Sequence, residues 1–171
     1  QIVSALIQQH GVAQFHEWMC GAGLLALKML SPSMGTVFTT HATVLGRSMA
    51  GSGVDIYTRM SEIFPSQEAD RFGVTAKHSM ETISAREADI FTTVSDITAK
   101  EAHYFLGRTP DVITTNGLDL TTIPDFSIDR NTAKANRQKL LAPLEKLLRR
   151  KLDPNTRIIL CSGRYEFHNK G

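Results

Sequence analysis

The sequence predicts an α/β fold in which a parallel β-sheet is flanked by helices. Two observations carry that expectation. Short runs rich in Val, Ile, Phe and Thr alternate with longer stretches of helical periodicity, which is the pattern of successive β–α–β units. The runs also end in polar residues, and open α/β sheets gather their ligands outside the carboxyl ends of the strands. A length of 171 residues, 42% of them hydrophobic, with a mean hydropathy of -0.14, suits one compact domain with a further piece attached. No apolar run reaches the roughly 18 residues of a membrane span. The longest, Ala22–Leu30, is interrupted by Lys28.

In chain order, the expected strands are Val12–Phe15, Thr36–Thr40, Asp89–Val94, Asp111–Thr115 and Arg157–Cys161. Each is a short β-branched or aromatic run of the length a buried strand needs. Helical periodicity falls over 2–10, 18–30, 53–63, 73–87, 96–106 and 129–151, with Pro143 opening a new turn in the last. From about Asp119 to Asn155 there is no strand pattern, so that segment reads as a helical connector between two α/β units. The organisation expected is 1–118 as one α/β unit, 119–155 as connector, and 156–171 as the first strand and loop of a second. Gln1 opens the chain without the basic segment and apolar core of a signal peptide. Cys20 and Cys161 show no metal-type spacing and read as reduced, buried thiols of a reducing compartment.

The formal charge of +2 is unevenly spread. Residues 129–151 carry eight Lys or Arg against Asp129 and Glu145, a net +6 that leaves −4 for the remainder. Leu140, Leu141, Leu144, Leu147 and Leu148 recur there at helical spacing, so the cations read as a solvated face. Nucleic acid is not the expected partner, because the aromatic residues that stack on bases are missing from this stretch. The six histidines, His10, His16, His41, His78, His103 and His168, form no metal-ligand spacing, and no metal site is expected. Phosphate-cradling and nucleophile-elbow signatures are absent too. The glycine-rich string 46–53 is weak evidence for a cradle.

The strand exits carry the chemistry: His16-Glu17-Trp18, His41-Ala42-Thr43, Ser95-Asp96, Asn116-Gly117 and Ser162-Gly163-Arg164. Ser95 reads as a helix N-cap, with Thr98 and Glu101 nearby. Asn116-Gly117 reads as a tight turn, because both residues tolerate positive φ. His41 reads either as a satisfied core histidine or as a ligand contact. Arg47 follows it by six residues, and Arg164 and Lys170 are six apart on the last loop. Arginine forks and a compact ammonium suit phosphate oxygens, yet they also form ordinary surface ion pairs.

Seven strings give these exits a common origin: VAQFHEW at 12–18, VFTTHATVLGR at 37–47, EADRFGV at 68–74, FTTVSDIT at 91–98, EAHYFLGRTPD at 101–111, NGLDL at 116–120 and SGRYEFHNKG at 162–171. Together, and in this order, the chain resembles the glycogen synthases of the fungal and animal type, including their bacterial relatives. The resemblance implies a Rossmann-like sheet that forms part of a two-domain GT-B glycosyltransferase, with this chain its central piece. The implied reaction is retaining transfer of glucose from UDP-glucose to the non-reducing end of glycogen or another α-1,4-glucan. Carried over by position, His41 looks like the histidine that contacts the transferred sugar and Arg47 like the arginine reaching the donor phosphates. Arg164 and Lys170 resemble the pair that neutralises the departing diphosphate. His16, Glu17, Asn116 and Gly117 are the further substrate-binding candidates.

The resemblance implies no cofactor, no metal, no protein nucleophile and a cytoplasmic enzyme. It leaves a homo-oligomer and the choice between UDP and ADP open. Fungal and animal members carry histidines in the connector that help hold glucose 6-phosphate. The corresponding stretch 126–136 has none, so activation by that sugar phosphate is not expected, and the shorter connector fits a bacterial relative. The alternative expectation is a non-catalytic carbohydrate-binding or scaffold relative that kept the sheet. On either reading the chain alone is expected to be inactive.

Overall fold

The computed structural model describes residues 11–30, 33–123, 129–160 and 163. The helical pattern over 2–10 and the candidates Cys161, Arg164 and Lys170 lie outside them. The chain divides into two compact units, Gln1–Asn116 and Gly117–Gly171. The first unit carries β1 (Val12–His16), a 3-10 turn at Trp18–Cys20, α1 (Gly21–Leu30), β2 (Gly35–Thr40) and α2 (Val44–Gly51). It continues through α3 (Pro65–Arg71), α4 (Thr75–Glu87), β3 (Ile90–Thr93), α5 (Asp96–Glu101) with a π-turn at Ala102–Leu106, and β4 (Val112–Ile113).

The four strands form a parallel sheet in the order β1-β2-β3-β4. Sequence order and spatial order coincide, so the loops after the strands stand in chain order along one edge. Phe15, Phe38 and Phe91 share one register row. Phe38 and Phe91 stack with centroids 6.0 Å apart. With Leu24, Ala85, Ala88, Ala102 and Leu106 they form the core beneath the sheet, and a second cluster of Leu45, Met49, Ile56, Met60, Ala69 and Phe105 packs around α2 and α3. Such burial is the main stabilising term, at about 25 cal/mol per Å² of apolar surface. On the opposite face Gln14, Thr39 and Thr92 join hydroxyl and amide groups across three strands, with the Thr39–Thr92 oxygens 2.8 Å apart.

Arg108 staples the end of α4 to the sheet. Its guanidinium donates to the carbonyls of Ala85 and Ala88, each at 2.7 Å, and to Asp111 at 2.7 Å, while Asp111 also accepts from the Phe91 amide. That amide, and then Arg108, holds the Asp111 carboxyl below the usual carboxylate range.

In the second unit a 3-10 turn at Leu120–Thr122 precedes α6 (Arg130–Leu148). Asp129 caps α6 by accepting from the Thr132 amide. Among the described residues no helix is long and apolar enough to cross a membrane.

Several expectations are corrected. No helix spans 53–63: Asp55 accepts from the amides of Tyr57 and Thr58 and from the Thr58 hydroxyl, and these local bonds hold a turn in place of a helix. Only a 3-10 turn forms, at Met60–Glu62. α3 was not foreseen, although Pro65 at its first turn is a start signal. Pro143 lies inside one continuous helix and opens no new one. In that helix Leu141 is buried while Leu140, Leu147 and Leu148 are exposed, so within the described residues the leucine stripe is mostly uncovered. Residues 157–160 have no strand partner among the described residues, and Ile159 is exposed. Asn116-Gly117 makes no positive-φ turn but continues an irregular exposed segment. Cys20 is exposed, not a core thiol.

Candidate functional site

β1 and β2 end level with one another, His16 opposite Thr39, so their exits meet at the carboxyl edge. There the His16 Nδ1 and His41 Nε2 atoms lie 2.9 Å apart. One nitrogen must carry the hydrogen and the other the lone pair, which fixes the two rings against each other. The ring centroids are 5.2 Å apart, at an angle of 37°.

Glu17 follows His16 in a conformation few residues adopt, φ 64° and ψ 163°. That region is essentially reserved for glycine and costs a side-chain-bearing residue about 1–3 kcal/mol. The surroundings hold it there. Its amide donates to the Thr39 carbonyl at 2.9 Å, and its carboxylate accepts from the His41 amide at 3.2 Å.

The loop from His41 to Thr43 joins β2 to α2 in three residues. Thr43 is the N-cap of α2, its hydroxyl accepting from the Gly46 amide at 3.1 Å. Two buried carboxylates lie beneath the loop. Glu81 of α4 accepts from the Thr40 hydroxyl at 3.2 Å and the Val44 amide at 2.8 Å. Glu101, which ends α5, accepts from the hydroxyls of Thr43 at 2.6 Å and Tyr57 at 2.8 Å. Burial pushes the Glu81 carboxyl up to about 7, opposed chiefly by the bond from the Val44 amide. Burial and the Glu101 carboxylate push the Tyr57 phenol up to about 12, so it donates throughout the neutral range. From the next exit, Thr98 donates to the His41 carbonyl at 3.4 Å, while Ser95 caps α5 by accepting from the Thr98 amide.

Arg47 projects from the first turn of α2 and is exposed, with no ion pair among the described residues. It lines a hollow of about 180 Å³ with Glu17, Trp18, Ala42, Val44, Ser48, Val74 and Lys77. Lys77 of α4 lies 5.5 Å from the Trp18 ring centroid, and it places a second cation here that the sequence reading did not foresee. The hollow is smaller than the roughly 300–1,000 Å³ of a complete small-molecule site. Its two cations suit an anionic ligand.

The structure thus brings together His16, Glu17, His41 and Arg47. Asn116, the last residue of the first unit, is exposed and forms no hydrogen bond or ion pair with them among the described residues; Gly117 opens the second unit, and Arg164 and Lys170 lie outside the described residues. Among the described residues no three His, Cys, Asp or Glu side chains converge to hold a metal ion. Sequence reasoning missed Glu81 and placed Glu101 only beside the Ser95 cap, whereas its carboxylate accepts from Thr43 and Tyr57. Their signal was faint: Glu81 is spaced four residues from Ala85, on a stripe that reads as core.

Fold and site define the class: a Rossmann-like α/β domain with its polar and cationic groups at the carboxyl edge of an open parallel sheet. Residues 2–171 match the family model described as glycogen synthase. The chain is 37% identical over 163 residues to a glycogen [starch] synthase of Caenorhabditis elegans, covering 94% of this chain and 24% of that protein. It is 39% identical over 173 residues to that of Dictyostelium discoideum, covering 94% and 19%, and 38% identical over 174 residues to isoform 2 of Saccharomyces cerevisiae, covering 99% and 25%. The chain belongs to the glycogen synthase family. It spans about a quarter or less of the length of these relatives.

Proposed function

We propose that the protein containing this chain transfers glucose from UDP-glucose to the non-reducing end of an α-1,4-glucan, with retention of configuration at the transferred carbon. Membership of the glycogen synthase family supports the reading. The observation that carries it to particular atoms is the junction of His41 with His16 and Glu17 at the edge of the sheet, with Arg47 one helical turn beyond. His41 contacts the transferred sugar in this reading. Arg47, Arg164 and Lys170 face the diphosphate, and His16, Glu17, Asn116 and Gly117 line the substrate path.

As the bond between glucose and phosphate breaks, negative charge grows on the departing diphosphate. Fixed cations stabilise that charge more than they stabilise the bound donor, which lowers the barrier. Three such side chains make a divalent ion unnecessary, and attack on the leaving-group face requires no protein nucleophile. In this reading the reaction runs in the cytoplasm, on a two-domain GT-B enzyme.

The test is UDP release by the full-length protein with UDP-glucose and glycogen, with ADP-glucose run in parallel. Arg164→Ala and Lys170→Ala are each expected to lower kcat by about 10²–10³-fold, the usual effect of removing one preorganised donor to developing charge. Near-normal turnover in both variants overturns the diphosphate role. Glucan binding by a wild type that releases no UDP establishes the non-catalytic carbohydrate-binding relative instead.

A further inference from the structure

We propose that Glu81 and Glu101 are positioning residues for this transfer: two buried carboxylates that grip the β2–α2 loop on both flanks of His41 and thereby set the aim of His41 and Arg47. The inference rests on the glucosyl-transfer reading for its effect on rate, whereas the grip itself can be measured without substrate.

The geometry is specific. β2 ends at Thr40 and α2 begins at Val44, and every residue bounding His41-Ala42 is held. Glu81 takes the Thr40 hydroxyl and the Val44 amide, one bond on each side. Glu101 takes the Thr43 hydroxyl from below. The Val44 amide is one of the first-turn donors that have no partner inside their own helix, so Glu81 supplies what the helix cannot. Arg47 inherits the arrangement, since its amide bonds to the Thr43 carbonyl at 3.0 Å. Gly46 tightens it further: a Cβ there would overlap Glu101 Oε2, so α2 rests directly on that carboxylate.

Packing alone does not call for a carboxylate at either position. Glu81 is 0% exposed and Glu101 6%. Burying a carboxylate is costly unless it is hydrogen-bonded, and an apolar side chain of similar volume would serve packing at lower cost. What an apolar residue cannot do is accept four hydrogen bonds from the loop and from Tyr57. Tyr57 extends the network to the surface, where the residue is 58% exposed. The charged groups facing Glu81 are Glu17 and Arg47, both at the proposed site.

The experiment compares Glu81→Ala and Glu101→Ala with Glu81→Gln and Glu101→Gln in the full-length protein. Gln keeps an acceptor for the Val44 amide or the Thr43 hydroxyl, and its amide nitrogen can donate to the second hydroxyl oxygen. Leu106→Ala, a core change in the first cluster, serves as a control for destabilisation. The Ala variants are expected to lose about 10–100-fold in kcat per folded molecule, the range produced when reacting groups shift by about 1 Å. Their KM for UDP-glucose should change less than about threefold, the Gln variants should recover most of the rate, and Leu106→Ala should keep its kcat. Hydrogen exchange at the Val44 amide without substrate is expected to accelerate in Glu81→Ala and not in Glu81→Gln.

Unchanged kcat in both Ala variants, losses no larger than those of Leu106→Ala, or an unaltered Val44 amide overturns the proposal. If Glu81→Ala or Glu101→Ala does not fold, Thr40→Val and Tyr57→Phe each remove one donor, with an expected loss in kcat of about 3–10-fold and the same criterion for failure. A wild type that releases no UDP overturns the transfer reading, and the role in rate with it. The exchange measurement then still decides whether the loop is gripped.

Discussion

Alanine at a helical glycine usually stabilises, by up to about 1 kcal/mol. At position 46 the opposite is expected. A Cβ on Gly46 would overlap the Glu101 carboxylate oxygen and come within 2.5 Å of Thr43 Oγ1 and 2.9 Å of Glu101 Cδ. Glu101 is buried, so it must move, and moving it breaks the bonds from Thr43 and Tyr57. Disturbing the N-cap costs about 1 kcal/mol. Displacing a hydrogen-bonded buried carboxylate costs about another 1.5–3 kcal/mol. Set against the helical gain, the net loss is about 2 kcal/mol, or about 8 °C in melting temperature for the unit Gln1–Asn116. Gly51 lies in the same helix with nothing within 4 Å of its added Cβ, so Gly51→Ala should leave the melting temperature unchanged or raise it slightly. Thermal unfolding of both variants in the full-length protein makes the comparison. A Gly46→Ala protein that melts at or above wild type refutes the packing of α2 against Glu101.

Two further outcomes follow from the same contacts. Because burial raises the Glu81 carboxyl from its ordinary 4.5 to about 7, the folded state binds this proton more tightly than the unfolded chain. Its contribution is therefore fully present below about pH 4.5 and is lost as the pH rises through 7, by up to about 3 kcal/mol. Glu81→Gln should flatten that part of the stability profile, read from melting temperatures between pH 5 and 8. Arg108→Ala removes the donor shared by two helix-end carbonyls and Asp111, and should destabilise by about 2–3 kcal/mol in chemical denaturation, while the Phe91 amide still holds the Asp111 carboxyl below the usual range.

The parallel sheet was legible because its strands are short β-branched and aromatic runs separated by helical stretches, a local signal that needs no tertiary context. The runs at 12, 36, 89 and 111 all became strands, with ends shifted by a residue or two. Segment 53–63 failed because apolar residues at helical spacing, Ile56, Met60 and Ile63, pack into the second cluster while Asp55 captures the local amides. Periodicity records burial and is blind to such a turn. At the candidate site, His16, Glu17 and His41 were singled out by their place at strand ends and Arg47 by its spacing from His41, and the structure sets them near one another. Glu81 was not singled out, and Glu101 was placed only beside the Ser95 cap. A glutamate in a helix looks like solvated surface, and only the placement of α4 and α5 beneath the loop shows that its carboxylate turns inward.

Glu17 sets a limit on how far this protein can be made more stable. Glycine would relax the backbone at φ 64° and ψ 163°. The same exchange would delete the carboxylate that holds the His41 amide. Backbone relaxation and the hold on the His41 amide are thus opposed at one residue.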